Sequence, residues 1–187
     1  MTYRPSLIAG DSVTGVWQED NIVAKMLRSW VALGMAPSID AAIDLVPVDY
    51  VSQAIVRGVV QGMPEGVHVA HLNNPRPVAV REMIDWMNEC GYRIDTAPYP
   101  AWRAAMVSRS VLDPQMILTA LGPLFALQLS EEIDWLAHIP RFACETTRHA
   151  LGGVACPPID AALFRTYVAH LQQVDCLPGI APQPMMT

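Results

Sequence analysis

Lysine is almost absent from this chain of 187 residues, because eleven of its twelve basic residues are arginine and only Lys25 is lysine. With eighteen acidic residues, the formal net charge is −6 at pH 7. A negatively charged chain attracts phosphate backbones weakly, so we expect no nucleic-acid partner. We interpret the scattered arginines as solvated surface.

The chain also lacks a long uninterrupted apolar run. The best candidate, Met116 to Leu129, is too short to cross a bilayer and contains Gly122-Pro123. Residues 1–15 carry no signal-peptide pattern, so we expect neither a leader nor a membrane partner. At the same time, 52% of the residues are hydrophobic, which excludes an intrinsically disordered chain.

Cysteine and histidine do not occur at metal-ligand spacing. There are four cysteines and no C-x-x-C pair, which is typical of reduced core residues in a cytoplasmic protein. His68 and His71 lie three apart in a predicted strand, so their side chains would point to opposite faces. We therefore predict no metal site.

The usual nucleotide and catalytic motifs are missing as well. Gly10 and Gly15 match half of a phosphate-binding loop, but Val16-Trp17 follows where that loop needs Lys and then Ser or Thr. No glycine-rich dinucleotide fingerprint is present. No tyrosine is followed by lysine four residues later, which is the acid and its pKa-lowering partner in short-chain dehydrogenases. We therefore assign no catalytic residue to this chain.

Apolar spacing predicts strands and helices in alternation up to about residue 97 and only helices beyond it, so that helix dominates overall. The predicted strands cover 4–9, 43–48, 67–72 and 93–97, and the one over 43–48 is expected at a sheet edge. The first predicted helix runs to Leu33, with Asp20 or Asn21 as its N-cap and Gly34 as its C-cap, and the second covers 50–60 with Asp49 as its cap. Further helices are predicted over 78–90, from near Asp113, from near Ser130, and over 142–151 and 158–174. Residues 1–97 then form an α/β part, 98–178 a mostly α part, and 179–187 a frayed tail.

The first strand is the most informative element, because it opens the chain. An apolar strand that ends in Gly10-Asp11-Ser12 and turns at Thr14-Gly15 normally emerges from a sheet that is already built. We therefore interpret the chain as the later part of a larger enzyme.

Several segments, in consistent order over residues 3 to about 178, resemble the later part of a thioester reductase domain. These domains terminate nonribosomal peptide synthetases, polyketide synthases and carboxylic acid reductases, and belong to the extended short-chain dehydrogenases. The segments that carry the resemblance are Arg4-Pro5 to Thr14-Gly15, Asp44 to Val51, His71 to Pro75, Gly91 to Trp102, Cys156 to Asp160 and Leu177-Pro178. Ser6 departs from the family, which often has glycine there.

The resemblance implies that residues 1–97 carry the late strands of a Rossmann-type sheet and that the rest is a helical substrate-binding subdomain. In the parent, NADPH would reduce a thioester bound to a phosphopantetheinyl carrier protein, with release of an aldehyde or alcohol. Residues Pro5, Ser6, Leu7 and Ile8 would pass near the nicotinamide. Trp102 and Met106 would line the acyl pocket, although most Met and Trp residues here fit ordinary core packing.

By the same resemblance, the dinucleotide-binding half and its Tyr/Lys pair should directly precede Tyr3 in the parent. Strands 4–9 and 67–72 would otherwise expose backbone edges, so we expect a homo-oligomer or a partner chain. Two alternatives remain open. The chain is either a non-catalytic module that docks a carrier protein, or a relative that forms its product without reduction.

We predict no measurable binding of NADPH by this chain alone at micromolar concentration, because it lacks the phosphate-binding glycines and the Tyr/Lys pair. Titration of NADPH fluorescence with the purified chain measures this directly. A saturable change at micromolar concentration would contradict the interpretation of the chain as a partial reductase.

Overall fold

A computed structural model describes residues 1–62, 66, 68–110 and 145–180. Strands and helices alternate in its first half, which gives an α/β fold. The elements are β1 (Thr2–Pro5), β2 (Leu7–Ala9), α1 (Ile22–Leu33), β3 (Met35–Ser38), β4 (Ala42–Ile43), β5 (Leu45–Pro47), α2 (Val48–Gln61), β6 (Val69–Leu72), β7 (Val78–Ala79), α3 (Val80–Glu89), β8 (Asp95–Pro98), α4 (Tyr99–Ser110), α5 (Glu145–Ala150) and α6 (Ala161–Gln173). None of these helices is both long and apolar enough to cross a bilayer.

The strands form short pairs. Three pairs are parallel, β1 with β6, β2 with β5 and β3 with β8, and the described part contains one antiparallel pair, β4 with β7. Parallel neighbours need a crossover connection, and here α1 and α2 lie in those connections. The single strand predicted over 4–9 is divided at Ser6, because the chain changes its pairing partner there.

Helix α1 has the ends that its sequence predicts. Asn21 is the N-cap, and its Oδ1 accepts a hydrogen bond from the Val23 N–H at 2.9 Å. Gly34 ends the helix with φ of 64°, a left-handed conformation that glycine adopts without strain. The predicted caps of this helix are therefore confirmed.

Helix α2 begins two residues earlier than predicted, and Asp49 is not its cap. Pro47 occupies the N-cap position with no side-chain hydrogen bond, and Asp49 lies in the first turn. The carboxylate of Asp49 instead accepts hydrogen bonds from the backbone N–H and the hydroxyl of Ser12, at 2.9 and 2.6 Å. A long-range contact thus takes the oxygens that a local cap would have used.

Three short strands differ from the predicted elements. β3 was not predicted, β4 overlaps the predicted edge strand over 43–48 only at Ile43, and β7 lies where the helix over 78–90 was predicted to begin. Pro37 lies within β3, opposite Ala97 of β8. Each of these strands has only one paired neighbour, and their few residues carry no clear alternation. The helices predicted near Asp113 and Ser130 lie outside the described residues.

Two clusters of apolar side chains form the core. The larger one joins α1, α3, α4 and α6, so it contains residues from both sides of residue 98. The smaller one lies under the inner face of α2. Its members are Val46, Tyr50, Val51, Ala54, Leu72 and Leu151, with Tyr3, Ile8, Val154 and Cys156 packed against them.

We expect Asn21→Ala to lower the free energy of unfolding by about 1–2 kcal/mol. The variant loses the helix cap and also the hydrogen bond from the Asn21 amide to the Ile8 carbonyl, which is 2.9 Å long. Chemical denaturation of the chain measures the change.

The matched control is Asp20→Ala. The Asp20 side chain is 84% exposed and, among the described residues, pairs with Lys25 at the surface. Its loss should therefore change the free energy of unfolding by less than about 0.5 kcal/mol. Equal effects of the two substitutions would contradict the role given to Asn21.

Candidate functional site

The change of strand partner at Ser6 lies where parallel strands end, which is the edge at which open α/β sheets bind ligands. The Ser6 N–H donates to the Leu72 carbonyl at 3.1 Å, the last bond to the β6 side. The next N–H, that of Leu7, donates to the Asp44 carbonyl at 3.2 Å, the first bond to the β5 side. Two consecutive peptide groups therefore join three segments of the chain.

Side chains hold this junction together. The carboxylate of Asp44 accepts from the Asn73 side-chain amide and from the Asn74 backbone N–H, both at 2.8 Å. The same Asn73 amide nitrogen donates to the hydroxyl oxygen of Ser6 at 2.6 Å. Because a carboxylate only accepts hydrogen bonds, Asp44 determines which end of the Asn73 amide faces Ser6. Ser6 is thereby held as an acceptor.

Asn73 is only 5% exposed, and its Oδ1 makes no hydrogen bond within the described part of the chain. Asn74 is buried beside it, and its amide donates to the Leu45 carbonyl at 2.9 Å. A buried amide oxygen without a partner is costly, which makes this cluster sensitive to substitution.

A compact loop follows β2. Its Asp11 carboxylate accepts from the backbone N–H groups of Val13 and Thr14 and from the Thr14 hydroxyl. These bonds, with that from the Thr14 N–H the most important, lower the pKa of Asp11. The loop therefore carries an anionic side chain that turns the loop's own N–H groups towards one of its oxygens, which does not suit the loop to hold a phosphate.

Helix α6 packs against this loop. The Tyr167 ring lies 5.1 Å from the Trp17 ring, and its hydroxyl donates to the Gly10 carbonyl at 2.9 Å. A Cβ on Gly10 would lie 2.9 Å from the Tyr167 ring, and one on Gly15 would lie 2.6 Å from the Thr166 carbonyl oxygen. Glycine is therefore needed at both positions because α6 comes so close. These glycines match a phosphate loop in spacing, but here they serve packing.

The four residues predicted to lie near a nicotinamide have different environments. Pro5 and Leu7 are exposed, with Leu7 at 43%, and Ser6 is half-buried in the junction described above. Ile8 packs against the smaller core cluster. Pro5, at the carboxyl end of β1, and Leu7, the first residue of β2, thus present accessible surface, while Ser6 and Ile8 anchor the segment.

Trp102 and Met106, predicted to line an acyl pocket, lie one helical turn apart on α4. They are 5% and 3% exposed and belong to the larger core cluster, with the Tyr99 ring 5.6 Å from that of Trp102. They share an apolar environment, and neither takes part in the hydrogen bonds given above for the Ser6 junction. Their role in binding an acyl chain stays a prediction.

The sequence reasoning missed Asp44, Asn73 and Tyr167. Asp44 looked like part of a strand, and Tyr167 like one residue of an apolar stripe. The available signal was the pair Asn73-Asn74 directly after a strand, since neighbouring amides at a strand end have to find partners when buried. In the described residues, no three His, Cys, Asp or Glu side chains are grouped so as to hold a metal ion.

We expect Tyr167→Phe to lower the free energy of unfolding by about 1–2 kcal/mol at neutral pH, because it leaves the Gly10 carbonyl without this donor. Burial raises the pKa of the Tyr167 phenol, helped by the nearby Asp49 and Asp11 carboxylates. A raised pKa stabilises the fold below the unfolded value of about 10, and this contribution is lost as pH rises above it. The difference in free energy of unfolding between Tyr167→Phe and the unsubstituted chain should therefore become smaller between about pH 9 and pH 11.

Urea denaturation at several pH values measures both effects. The control is Tyr3→Phe, because the half-buried Tyr3 makes no side-chain hydrogen bond within the described residues. A loss in the free energy of unfolding of Tyr167→Phe that is the same at every pH would contradict this role of the Tyr167 phenol.

This chain is similar in sequence to known proteins. Residues 1–55, which include Ser6, Asp44 and the loop after β2, match an NAD-binding family described as male sterility protein. The large subunit of L-2-aminoadipate reductase from Penicillium chrysogenum is 23% identical over 187 residues. That alignment covers 94% of this chain and 13% of the reductase subunit.

Solved structures extend the likeness over nearly the whole chain. The terminal R domain from the myxalamid PKS-NRPS biosynthetic pathway is 36% identical, with a TM-score of 0.76, over 94% of this chain and 44% of that domain. A thiolation-reductase di-domain from an archaeal nonribosomal peptide synthetase shares the fold, with 20% identity and a TM-score of 0.69 over 92% of this chain and 36% of the di-domain.

The chain thus spans less than half of these solved structures and about an eighth of the aminoadipate reductase subunit. The likeness to the myxalamid terminal R domain covers 94% of this chain. The resemblance inferred from the sequence is therefore confirmed: the chain is related to the NAD-binding reductase domains that terminate nonribosomal peptide and polyketide synthases.

Proposed function

We propose that this chain is the later, substrate-binding portion of an NADPH-dependent thioester reductase. The observation that carries the proposal is the 36% identity to a terminal R domain over 94% of the chain. The intact enzyme would release an acyl or peptidyl group from a carrier protein as an aldehyde, or after a second reduction as an alcohol.

The reaction needs one hydride for each reduction. NADPH would supply the hydride when bound. With that hydride and a proton from solvent, the thioester would give an aldehyde and the free thiol of the carrier arm. This chain has no Tyr/Lys pair to protonate or stabilise the developing oxyanion, so that group has to come from the rest of the enzyme.

Residues of the Ser6 junction would contact one side of the cofactor. Pro5, at the carboxyl end of the parallel pair β1 and β6, and Leu7, the first residue of β2, are exposed and offer apolar surface to a flat ring. Ser6 is tied to Asn73, which would keep this edge in place as a ligand arrives. In the loop after β2, the N–H groups of Ser12, Val13 and Thr14 donate to the carboxylates of Asp49 and Asp11 and are not available to phosphates, so this segment fits only part of the cofactor.

The acyl group would approach α4. Trp102 and Met106 are large, apolar and placed just after β8, and methionine adapts to acyl chains of different shape. Both are buried in the core, so an acyl chain that reaches them has to replace core contacts. The carrier protein is the implied partner, in keeping with the thiolation-reductase architecture of one structural neighbour.

A second candidate function is a non-catalytic module that docks a carrier protein. The missing Tyr-x-x-x-Lys pair favours it, because the chain by itself contains no acid for the reduction. This candidate predicts carrier binding without NADPH oxidation in the complete gene product as well.

The test is reduction of a carrier-bound acyl thioester by the complete reductase that contains this chain. We expect NADPH oxidation and one equivalent of aldehyde for each thioester consumed, and no oxidation by this chain alone. The fall in NADPH absorbance and mass spectrometry of the product measure the two quantities. Carrier binding with no oxidation for any acyl thioester would contradict the proposal and support the docking module.

A further inference from the structure

Ser6 directly follows β1 and lies between two exposed apolar residues, Pro5 and Leu7. The backbone N–H groups of Ser6 and Leu7 both donate to carbonyls of neighbouring segments, and Pro5 has no N–H. The backbone donors of this short segment are therefore used within the fold. The Ser6 hydroxyl is the donor that the segment still offers to a ligand.

The hydrogen bonds of Asn73 determine how that hydroxyl is used. Both N–H groups of the Asn73 amide are occupied, because its nitrogen lies 2.6 Å from the Ser6 Oγ and 2.8 Å from a carboxylate oxygen of Asp44. The other Asp44 oxygen accepts from the Asn74 backbone N–H. Asn73 thus occupies one lone pair of the Ser6 Oγ, and the hydroxyl proton has to point elsewhere.

The opposite orientation of the Asn73 amide is excluded by charge. If the amide were turned over, its oxygen would face the Asp44 carboxylate, and two acceptors would meet. The observed orientation is kept although it leaves the buried Asn73 Oδ1 without a hydrogen bond among the described residues. Asp44 therefore fixes Asn73, and Asn73 fixes Ser6 as an acceptor towards the protein.

A hydroxyl held in this way favours an oxygen of a ligand over an N–H group. A ligand N–H would use the remaining lone pair of the Ser6 Oγ, but it would leave the hydroxyl proton without an acceptor once water is excluded. A carbonyl oxygen accepts that proton. Ser6 is half-buried and its chain neighbours Pro5 and Leu7 are exposed, so a ligand at this edge has access to the segment.

We infer that the Ser6 hydroxyl donates a hydrogen bond to the carboxamide oxygen of the nicotinamide ring, with Asn73 and Asp44 as positioning residues. The inference rests on the proposed function, which puts the ring against Pro5 and Leu7. The carboxamide is the polar group on that flat ring, and its oxygen is a carbonyl acceptor of the kind that the hydroxyl needs. The hydrogen bond would hold the carboxamide, and with it the ring, in one orientation.

The test is NADPH binding to the intact reductase without substrate, measured by the fluorescence of the reduced nicotinamide. We expect Ser6→Ala to raise the dissociation constant about 3- to 10-fold, the range for the loss of one neutral hydrogen bond. Ser6→Thr keeps a hydroxyl and should stay within about 2-fold of the unsubstituted enzyme. The control is Ser52→Ala, which removes a hydroxyl that donates to the Val48 carbonyl of its own helix and should leave the affinity unchanged.

A sulfur analogue of the cofactor identifies the acceptor. In reduced thionicotinamide adenine dinucleotide phosphate, sulfur replaces the carboxamide oxygen, and sulfur accepts hydrogen bonds weakly. The unsubstituted enzyme and Ser6→Ala should therefore bind this analogue with affinities within about 2-fold of each other. If Ser6→Ala weakened the binding of NADPH and of the analogue by the same factor, the carboxamide oxygen would not be the acceptor.

The positioning role is tested by a double variant. We expect Asn73→Ala to weaken NADPH binding, but to cause no further loss when it is added to Ser6→Ala, because Asn73 acts through Ser6. A further loss in the double variant would contradict this role. The melting temperature of each variant records the separate cost of removing a buried amide, and the Ser6 variants decide the inference if Asn73→Ala does not fold.

An unchanged NADPH dissociation constant for Ser6→Ala would overturn the inference. If kcat for a carrier-bound thioester fell at that unchanged affinity, the acceptor would be the thioester carbonyl instead. The unsubstituted enzyme tests the proposed function separately, because failure of that enzyme to bind and oxidise NADPH would refute the function itself. Equal NADPH affinity in the unsubstituted enzyme and Ser6→Ala would refute only the role of the hydroxyl.

Discussion

The change of strand partner at Ser6 is the constraint on which the described structure depends. The chain leaves β6 and joins β5 within two peptide groups, so strands that are distant in sequence have to meet at one point. Asp44 and Asn73 make this possible, because their side chains join the ends of the three segments by hydrogen bonds. Ile8 of β2 and Val46 of β5 then pack under α2, Ala9 and Leu45 join the larger core cluster, and the loop after β2 reaches α6.

Tyr167 connects this junction to the far end of the chain. Its ring packs on Trp17 and its hydroxyl binds the Gly10 carbonyl, so the last described helix closes over the loop that follows the first strands. Because Gly10 and Gly15 are in close contact with α6, the loop cannot open without loss of core packing. A segment that resembles a nucleotide loop in its glycines is therefore a structural support for the edge at which we place the cofactor.

Much of the local structure could be predicted from the sequence. Helix α1 with its Asn21 and Gly34 caps, helix α3 and helix α6 follow from apolar spacing and end signals that act over a few residues. The short strands β3, β4 and β7 could not be predicted, because each exists only through a partner far away in the chain. The prediction of Asp49 as a helix cap was wrong for the same reason, because Ser12, which is distant in the chain, donates two hydrogen bonds to its carboxylate. The resemblance identified the family, while Asp44, Asn73 and Tyr167 became visible only as contacts.

The sequence by itself determined the family, the absence of a Tyr/Lys pair and the helices whose signals are local. Those features depend on residue identity and on spacing within one or two turns. The tertiary structure decided the rest: where the first strand divides, which side chains bind Ser6, and which face of α2 is exposed. These outcomes depend on hydrogen bonds and packing between residues tens of positions apart, and no local pattern in the chain encodes such pairings.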